Sequence, residues 1–189
     1  MDCIEQIKNY IAANEQESQD KKVILEYIKQ FPHNIFLREN EFAHITSSGF
    51  IMNKELNKVL LVHHNILNTW SWTGGHADGE TDLLQVAVKE AKEETGINFV
   101  VPLVPDIASL DILPVGGHWK RGSYISAHLH LSIAYILVTD EQEKLVAKKD
   151  ENSGVKWFSV TEFTDNNFSQ PDIYLYSKLI NRAQQLRSC

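Results

Sequence analysis

The sequence predicts a mixed α/β protein in which helices flank curved sheets. Three observations carry that expectation. Apolar residues recur at helical spacing near both ends of the chain, strand-like apolar runs fill residues 43 to 160, and one helical pattern at 82 to 95 interrupts those runs. With 189 residues, 43% hydrophobic and 23% charged, the chain is long enough to bury one substantial core.

Residues 1 to 31 read as two short helices. Ile4, Ile7 and Ile11 make one apolar stripe, and Val23, Ile24, Tyr27, Ile28 and Phe31 make another after the polar break "NEQESQD". Pro32 closes this section. Strands are expected at "AHITSSGFIM", at "KVLLVHH" after a turn from Asn53 to Asn57, at "FVVPLV", at "ASLDILPV", at "YISAHLHLSIAYILV" as one long strand, and at "VKWFSV". A last helix is expected in "PDIYLYSKLINRAQQLRSC", with Ile173, Leu175, Leu179, Ile180 and Ala183 on its apolar side and Pro171 tolerated near its start. Residues 1–40 form an N-terminal helical extension in this reading and 41–189 the main domain.

A formal net charge of −7 and the lack of any Lys/Arg block disfavour binding to nucleic acid or to an anionic membrane surface. An anionic substrate therefore calls for a cation as intermediary. Cys3 and Cys189 give neither a disulfide framework nor a zinc spacing, so a reducing cytoplasm is the expected location. "MDCIEQIKNY" has no signal-like apolar region, and no run reaches the ~18 apolar residues of a membrane span.

In the helix at 82 to 95, Leu84, Ala87, Val88 and Ala91 form a core-facing stripe. Asp82 is placed as N-cap with Gln85 three residues on, and Gly96 as the C-terminal stop. At ~100° per residue, Glu90, Glu93 and Glu94 share one flank beside that stripe, and are expected to face solvent. A solvated face with a weak Lys89 to Glu93 pair explains the three alone. Upstream, however, "TWSWTGGHADGETD" brings Gly74 and Gly75 next to them, where bare backbone can approach a ligand. Carboxylate and carbonyl oxygens suit Mg²⁺ or Mn²⁺.

The segment "GGHADGETDLLQVAVKEAKEETGI" resembles the signature of the Nudix hydrolases, G-x5-E-x7-R-E-U-x-E-E-x-G-U with U aliphatic. Anchored on Gly75, it matches Glu90, Ala91, Glu93, Glu94, Gly96 and Ile97. Thr81 and Lys89 depart, standing where the family has a Glu–Arg pair that chiefly braces the loop–helix–loop. The resemblance implies a Nudix-type α/β/α sandwich with a mixed sheet. It also implies Mg²⁺- or Mn²⁺-dependent hydrolysis of a nucleoside diphosphate linked to another moiety. Glu90, Glu93 and Glu94 match the metal-ligand glutamates, and the Gly75 carbonyl matches a frequent further ligand. Glu151, with Asp150 as rival, is the candidate for the additional glutamate that some members carry before the last strand.

Substrate contacts are sought in "GGHWKRGSYISAHLHLS". Trp119, Lys120 and Arg121 lie in a Gly-bounded loop suited to stacking and phosphate binding, with a solvated hairpin as the plain alternative. His128 and His130 point to one sheet face, either the cleft or simply a polar surface, and the polar row they form with Ser126 and Ser132 favours the cleft. Trp70 and Trp72 are read as packing residues, His76 as a neutral hydrogen-bonding group, and His63 and His64 as surface, with lining of the cleft as the alternative. The N-terminal helices are left with three roles open: covering the cleft, forming a homodimer, or extending the core. Among other readings, an isomerase of similar fold needs a cysteine near the motif, which is absent, and a noncatalytic nucleotide-sensing module predicts erosion of the glutamates, which are all present.

Overall fold

A computed structural model describes residues 3–120 and 122–187. Two helices open the chain, α1 (Cys3–Asn9) and α2 (Glu15–Gln30). Asn14 caps α2 by accepting the Glu17 N–H at 2.9 Å. Ile7, Ile24 and Ile28 are buried against the rest of the protein, whereas Ile11 falls beyond α1 and is 82% exposed.

Strands β1 (Ala43–Asn53), β2 (Lys58–His64), β3 (Thr69–Ser71) and β4 (Thr73–His76) precede helix α3 (Leu83–Thr95). Then come β5 (Val101–Pro102), β6 (Ser109–Val115), β7 (His118–Lys120), β8 (Ser123–Ile125), β9 (His128–Thr139), β10 (Asn152–Ser159) and helix α4 (Gln170–Arg187). The main sheet is mixed, in the order β10-β2-β1-β9-β5, with β3 on β2, β4 on β1 and β6 on β9. Its central pair, β1 and β9, is parallel from Ala43 opposite Leu129 to Asn53 opposite Thr139. Hairpin β7–β8 stands apart as a two-stranded sheet. The expected long strand at 124 to 138 is thus broken at Ser126 and Ala127, because its first part pairs with β7 and only its second part joins the main sheet.

Both faces of the sheet are covered. Ile45, Ile51, Leu131, Ile133, Tyr135 and Leu137 pack with α1, α2 and α3 in one core. Phe50, Met52, Ile136 and Phe158 pack under Leu175, Tyr176, Leu179 and Ala183 of α4 in the other. Burying these two layers supplies the main favourable term in folding. Among the described residues no helix is long and apolar enough to cross a membrane.

Candidate active site

The two central strands each carry a side-chain row that changes character along its length. On β1 the row His44, Thr46, Ser48 continues as Phe50 and Met52; on β9 the row His128, His130, Ser132 continues as Ala134 and Ile136. Where α4 covers the sheet the row is apolar, and where it does not the row is polar. Those polar ends line a cleft of about 920 Å³, whose walls include Trp72, Gly74, Gly75, His64, Lys120 and Tyr176.

The glutamates of α3 stand next to this cleft across bare backbone. Gly74 and Gly75 lie in β4, paired with Ser48 and Ser47 of β1. A Cβ on Gly74 would meet Ser48 Oγ at 2.7 Å and the Ser47 carbonyl oxygen at 3.0 Å, so the pairing with β1 favours glycine there, and one on Gly75 would meet the Glu90 carboxyl carbon at 2.5 Å and displace that side chain from the strand. Helix α3 is fixed at both ends as expected. Asp82 accepts the Gln85 N–H at 3.1 Å, and Gly96 closes the helix with φ 75°. Two features not expected from the sequence hold the preceding loop: the Glu80 carboxylate accepts the N–H groups of Thr81 and Asp82 at 2.8 and 2.9 Å, and Arg38 forms a two-pronged pair with Asp78.

The buried side of α3 runs through Leu83, Val86, Ala87, Ala91, Glu94 and Thr95, with Leu84 and Val88 only partly buried. Packing against β1 and β4 therefore turns the helix toward its carboxylate flank, and the expectation that Glu94 faces solvent is corrected: it is 5% exposed. Its carboxylate accepts the Gly74 N–H at 2.9 Å. Burial, joined by the charges of Glu90 and Glu151, nonetheless pushes its pKa up to about 8. Burial first, then Glu93, also raises Glu90. Lys148 brings Glu151 into the group, since its ammonium lies 3.3 Å from Glu93 and 3.0 Å from Glu151. Asn152, buried in β10, donates to the Glu94 backbone carbonyl at 3.0 Å and ties the end of α3 to the sheet.

A cluster of four histidines lies on this polar face, three from the rows of β1 and β9 and His76 from β4. The rings of His44, His76 and His130 pack pairwise with centroids 4.9 to 5.4 Å apart, and His128 stacks on His44 at 5.1 Å. Burial pushes the His76 and His130 imidazoles down to about 3, with Arg38 and the neighbouring histidines adding to the effect, so both are neutral at pH 7. His44 is lowered for the same first reason.

Of the residues singled out in the sequence, Glu90, Glu93, Glu94, Gly75 and Glu151 are brought together, and His128, His130 and Lys120 line the cleft. Trp119 is not a cleft residue: it is 71% exposed and packs edge-on against Tyr124, which does line the cleft. Arg121 and Cys189 lie outside the described residues. His64 lines the cleft instead of the outer surface, and His76 contacts its histidine neighbours through its ring. His44 was missed. Its signal was the alternation His44, Thr46, Ser48 against Ala43, Ile45, which matches the polar row recognised on β9. Arg38, Lys148 and Asn152 carry no local signal, because each meets the site through chain folding over long separations.

The family model for the NUDIX domain matches residues 43–179. A curated relative, named as a probable DHNTP pyrophosphohydrolase from Lactococcus lactis subsp. cremoris (strain MG1363), is 22% identical over 78% of this chain and 84% of its own. Among solved structures, a NUDIX-family hydrolase from Clostridium perfringens superposes with a TM-score of 0.51 at 24% identity, over 73% of this chain and 96% of that one. A bifunctional NMN adenylyltransferase/ADP ribose pyrophosphatase from Francisella tularensis, complexed with AMP and a Mn ion, superposes with a TM-score of 0.55 at 15% identity. That match covers 87% of this chain and 48% of the other.

Proposed function

The chain belongs to the NUDIX family of diphosphate hydrolases, and we propose that it uses Mg²⁺ or Mn²⁺ to cleave a nucleoside diphosphate linked to another moiety. The observation that carries this reading is the packing of the Glu90 and Glu94 carboxylates onto the bare backbone of Gly75 and Gly74, with Glu93 and Glu151 joined beside them through Lys148. The donors there are all oxygens, burial raises two of the carboxylates, and a lysine ammonium already stands between two others. Such a set fits a hard divalent cation.

Glu90, Glu93, Glu94 and the Gly75 carbonyl would hold the ion, which supplies neutralisation of the diphosphate and a more acidic water. The protein's own part is to position and to shuttle a proton. In this reading Glu151, paired with Lys148 at 3.0 Å, would accept a proton from the attacking water. Lys120 offers a cation to phosphate oxygens from the hairpin wall, and Trp72 and Tyr176 give the cleft an aromatic side for a flat group. The names of the relatives, with their pyrophosphohydrolase and ADP ribose pyrophosphatase activities and an AMP and Mn ligand pair, support a nucleotide-derived substrate.

The test is formation of nucleoside monophosphate, phosphorylated co-product, phosphate or pyrophosphate, separated by chromatography, from a panel of nucleoside triphosphates, dinucleotides, nucleotide sugars and prenyl diphosphates, with Mg²⁺, with Mn²⁺ and with chelator. Turnover of a nucleotide class that chelator abolishes, and that Glu93→Gln lowers by about 100-fold or more, is the expected result. Turnover that survives chelator overturns the metal assignment. No turnover with any member would favour a nucleotide-sensing role.

A further inference from the structure

We propose that His44, His76, His128 and His130 form a binding site for a borderline divalent cation such as Zn²⁺, separate in place and in donor chemistry from the glutamates of α3. The ligand atoms of these four residues all lie within 4.8 Å of one another, the one such set among the described residues. His128 Nε2 and His130 Nε2 are 3.2 Å apart. A tetrahedral ion with Zn–N bonds of 2.0–2.1 Å sets neighbouring nitrogens about 3.3 Å apart, so this pair already spans one edge of the coordination shell.

The remaining ring nitrogens are arranged as ligand support. His44 Nδ1 is 2.9 Å from the Asn40 carbonyl oxygen and His128 Nδ1 is 2.8 Å from that of Ser126. A carbonyl oxygen only accepts, so both rings carry their proton on Nδ1 and present a lone pair on Nε2. His44 Nε2 is buried without a hydrogen-bond partner, on a residue 5% exposed. A purely hydrogen-bonded histidine cluster leaves that lone pair unexplained, and an ion at the centre of the group satisfies it.

The strands hold the group in register. His44 lies directly opposite His130 in the parallel pair, and His76 lies opposite Thr46 on the other side of β1. The three flanking histidines are half-buried, so the group is open to the cleft. Arg38, whose charge acts on His76 and His130, is itself held by Asp78 and so repels an incoming cation less. Imidazole nitrogens select Zn²⁺, Co²⁺, Ni²⁺ or Cu²⁺ over Mg²⁺; the oxygen donors on α3 suit Mg²⁺ or Mn²⁺, and excess Mg²⁺ keeps them occupied. Because His76 follows Gly75, an ion in this cage would place positive charge on the same strand that the glutamates face.

The experiment uses the full chain, stripped with chelator and then titrated with Zn²⁺, or with Co²⁺ as a visible probe, in excess Mg²⁺. The expected result is about one Zn²⁺ per chain and a Co²⁺ spectrum of tetrahedral type. His130→Ala and the half-buried His128→Asn should each weaken binding by about 100-fold, whereas Glu93→Gln should leave it unchanged. X-ray absorption of the Zn²⁺-loaded unmodified chain needs no variant: a first shell of imidazole nitrogens supports the site, and an oxygen shell overturns it. Failure to bind in excess Mg²⁺, or equal loss in Glu93→Gln, overturns it as well. No turnover is read, so this result stands apart from the success or failure of the substrate panel.

Discussion

Two buried glutamates on helices of this protein experience opposite electrostatics. Glu94 of α3 and Glu17 of α2 are 5% and 0% exposed, and each accepts a backbone N–H, from Gly74 at 2.9 Å and from Ala13 at 2.8 Å. Burial pushes both carboxyl groups upward. Around Glu17 the push is overcome by the Ala13 N–H, the Tyr10 hydroxyl at 2.7 Å and the Lys178 ammonium at 3.0 Å, so its pKa falls below the ordinary value. Around Glu94 the further charges are those of Glu90 and Glu151, so its pKa rises to about 8. Burial is common to both. What distinguishes the candidate site is that its like charges lack a resident partner of comparable strength, an arrangement whose natural complement is a cation from outside.

The largest effect that would break this comparison is on the structural side. Lys178 also meets Asp111 at 2.6 Å, so one lysine holds two buried carboxylates and joins α4 to α2 and β6. Lys178→Met should cost about 3–5 kcal/mol, because it leaves two buried carboxylates without their cation. Urea unfolding at pH 7 measures it, and a loss under about 1 kcal/mol would show that the pair is no better than a surface contact. Glu17 ionises more readily in the folded than in the unfolded chain. Its contribution is therefore complete above the ordinary glutamate value of 4.5 and disappears as pH falls through the lower folded value.

Glu94 has the opposite sign, and the second prediction uses it. In chelator the folded chain keeps a proton on Glu94 that the unfolded chain loses above 4.5, so the contribution of Glu94 to stability should decline as pH rises from about 4.5 toward 8. Glu94→Gln removes that slope while keeping an oxygen for the Gly74 N–H. The variant should melt higher than the parent at pH 8 by about 3 °C or more, and the gap should close near pH 5. Adding Mg²⁺ should favour the parent, since ligand binding stabilises only a chain that binds it. Because the lowered His76 and His130 add stability over part of the same range as pH rises, the difference between the two melting curves is the readout, and a gap that stays constant between pH 5 and 8 in chelator would refute the raised pKa.

The same two regions show what the sequence could disclose. Strands β1, β2, β6, β9 and β10 were legible because each alternates or runs apolar, and α3 was legible from its stripe and caps. Strands β3 and β4 were not, since "TWSWTGGH" reads locally as a loop and becomes strand only through pairing with β2 and β1. The expected strand "FVVPLV" shrinks to Val101 and Pro102, because Pro102 lacks an N–H for a longer ladder. Glu90, Glu93 and Glu94 were singled out because their helical flank follows a Gly-Gly loop in a segment that resembles a known signature; the shared flank alone is explained by a solvated face. The four-histidine group was half found: His128 and His130 sit two apart on one strand, while His44 joins them only through parallel pairing across 86 residues of chain. The Glu17–Lys178–Asp111 network has no sequence signal at all, each member being an ordinary charge on an ordinary element.

The smallest effect concerns the departure at Lys89. If the bracing ascribed to an Arg at this position were needed here, Lys89→Arg would find a carboxylate to grip. The structure offers it little: Lys89 is 68% exposed at its side chain and reaches Glu93 only at 3.8 Å, while Thr81 is exposed and has no acid to present. The loop is braced by other means, through Glu80 on the N–H groups of Thr81 and Asp82 and through Arg38 on Asp78. Lys89→Arg should therefore change stability by no more than about 0.5 kcal/mol in either direction. A gain well above that in thermal melts would mean that the guanidinium has found a partner on the loop and that the bracing described here is incomplete. A clear loss would mean that Lys89 already supports the α3 surface in a way its 3.8 Å contact does not reveal.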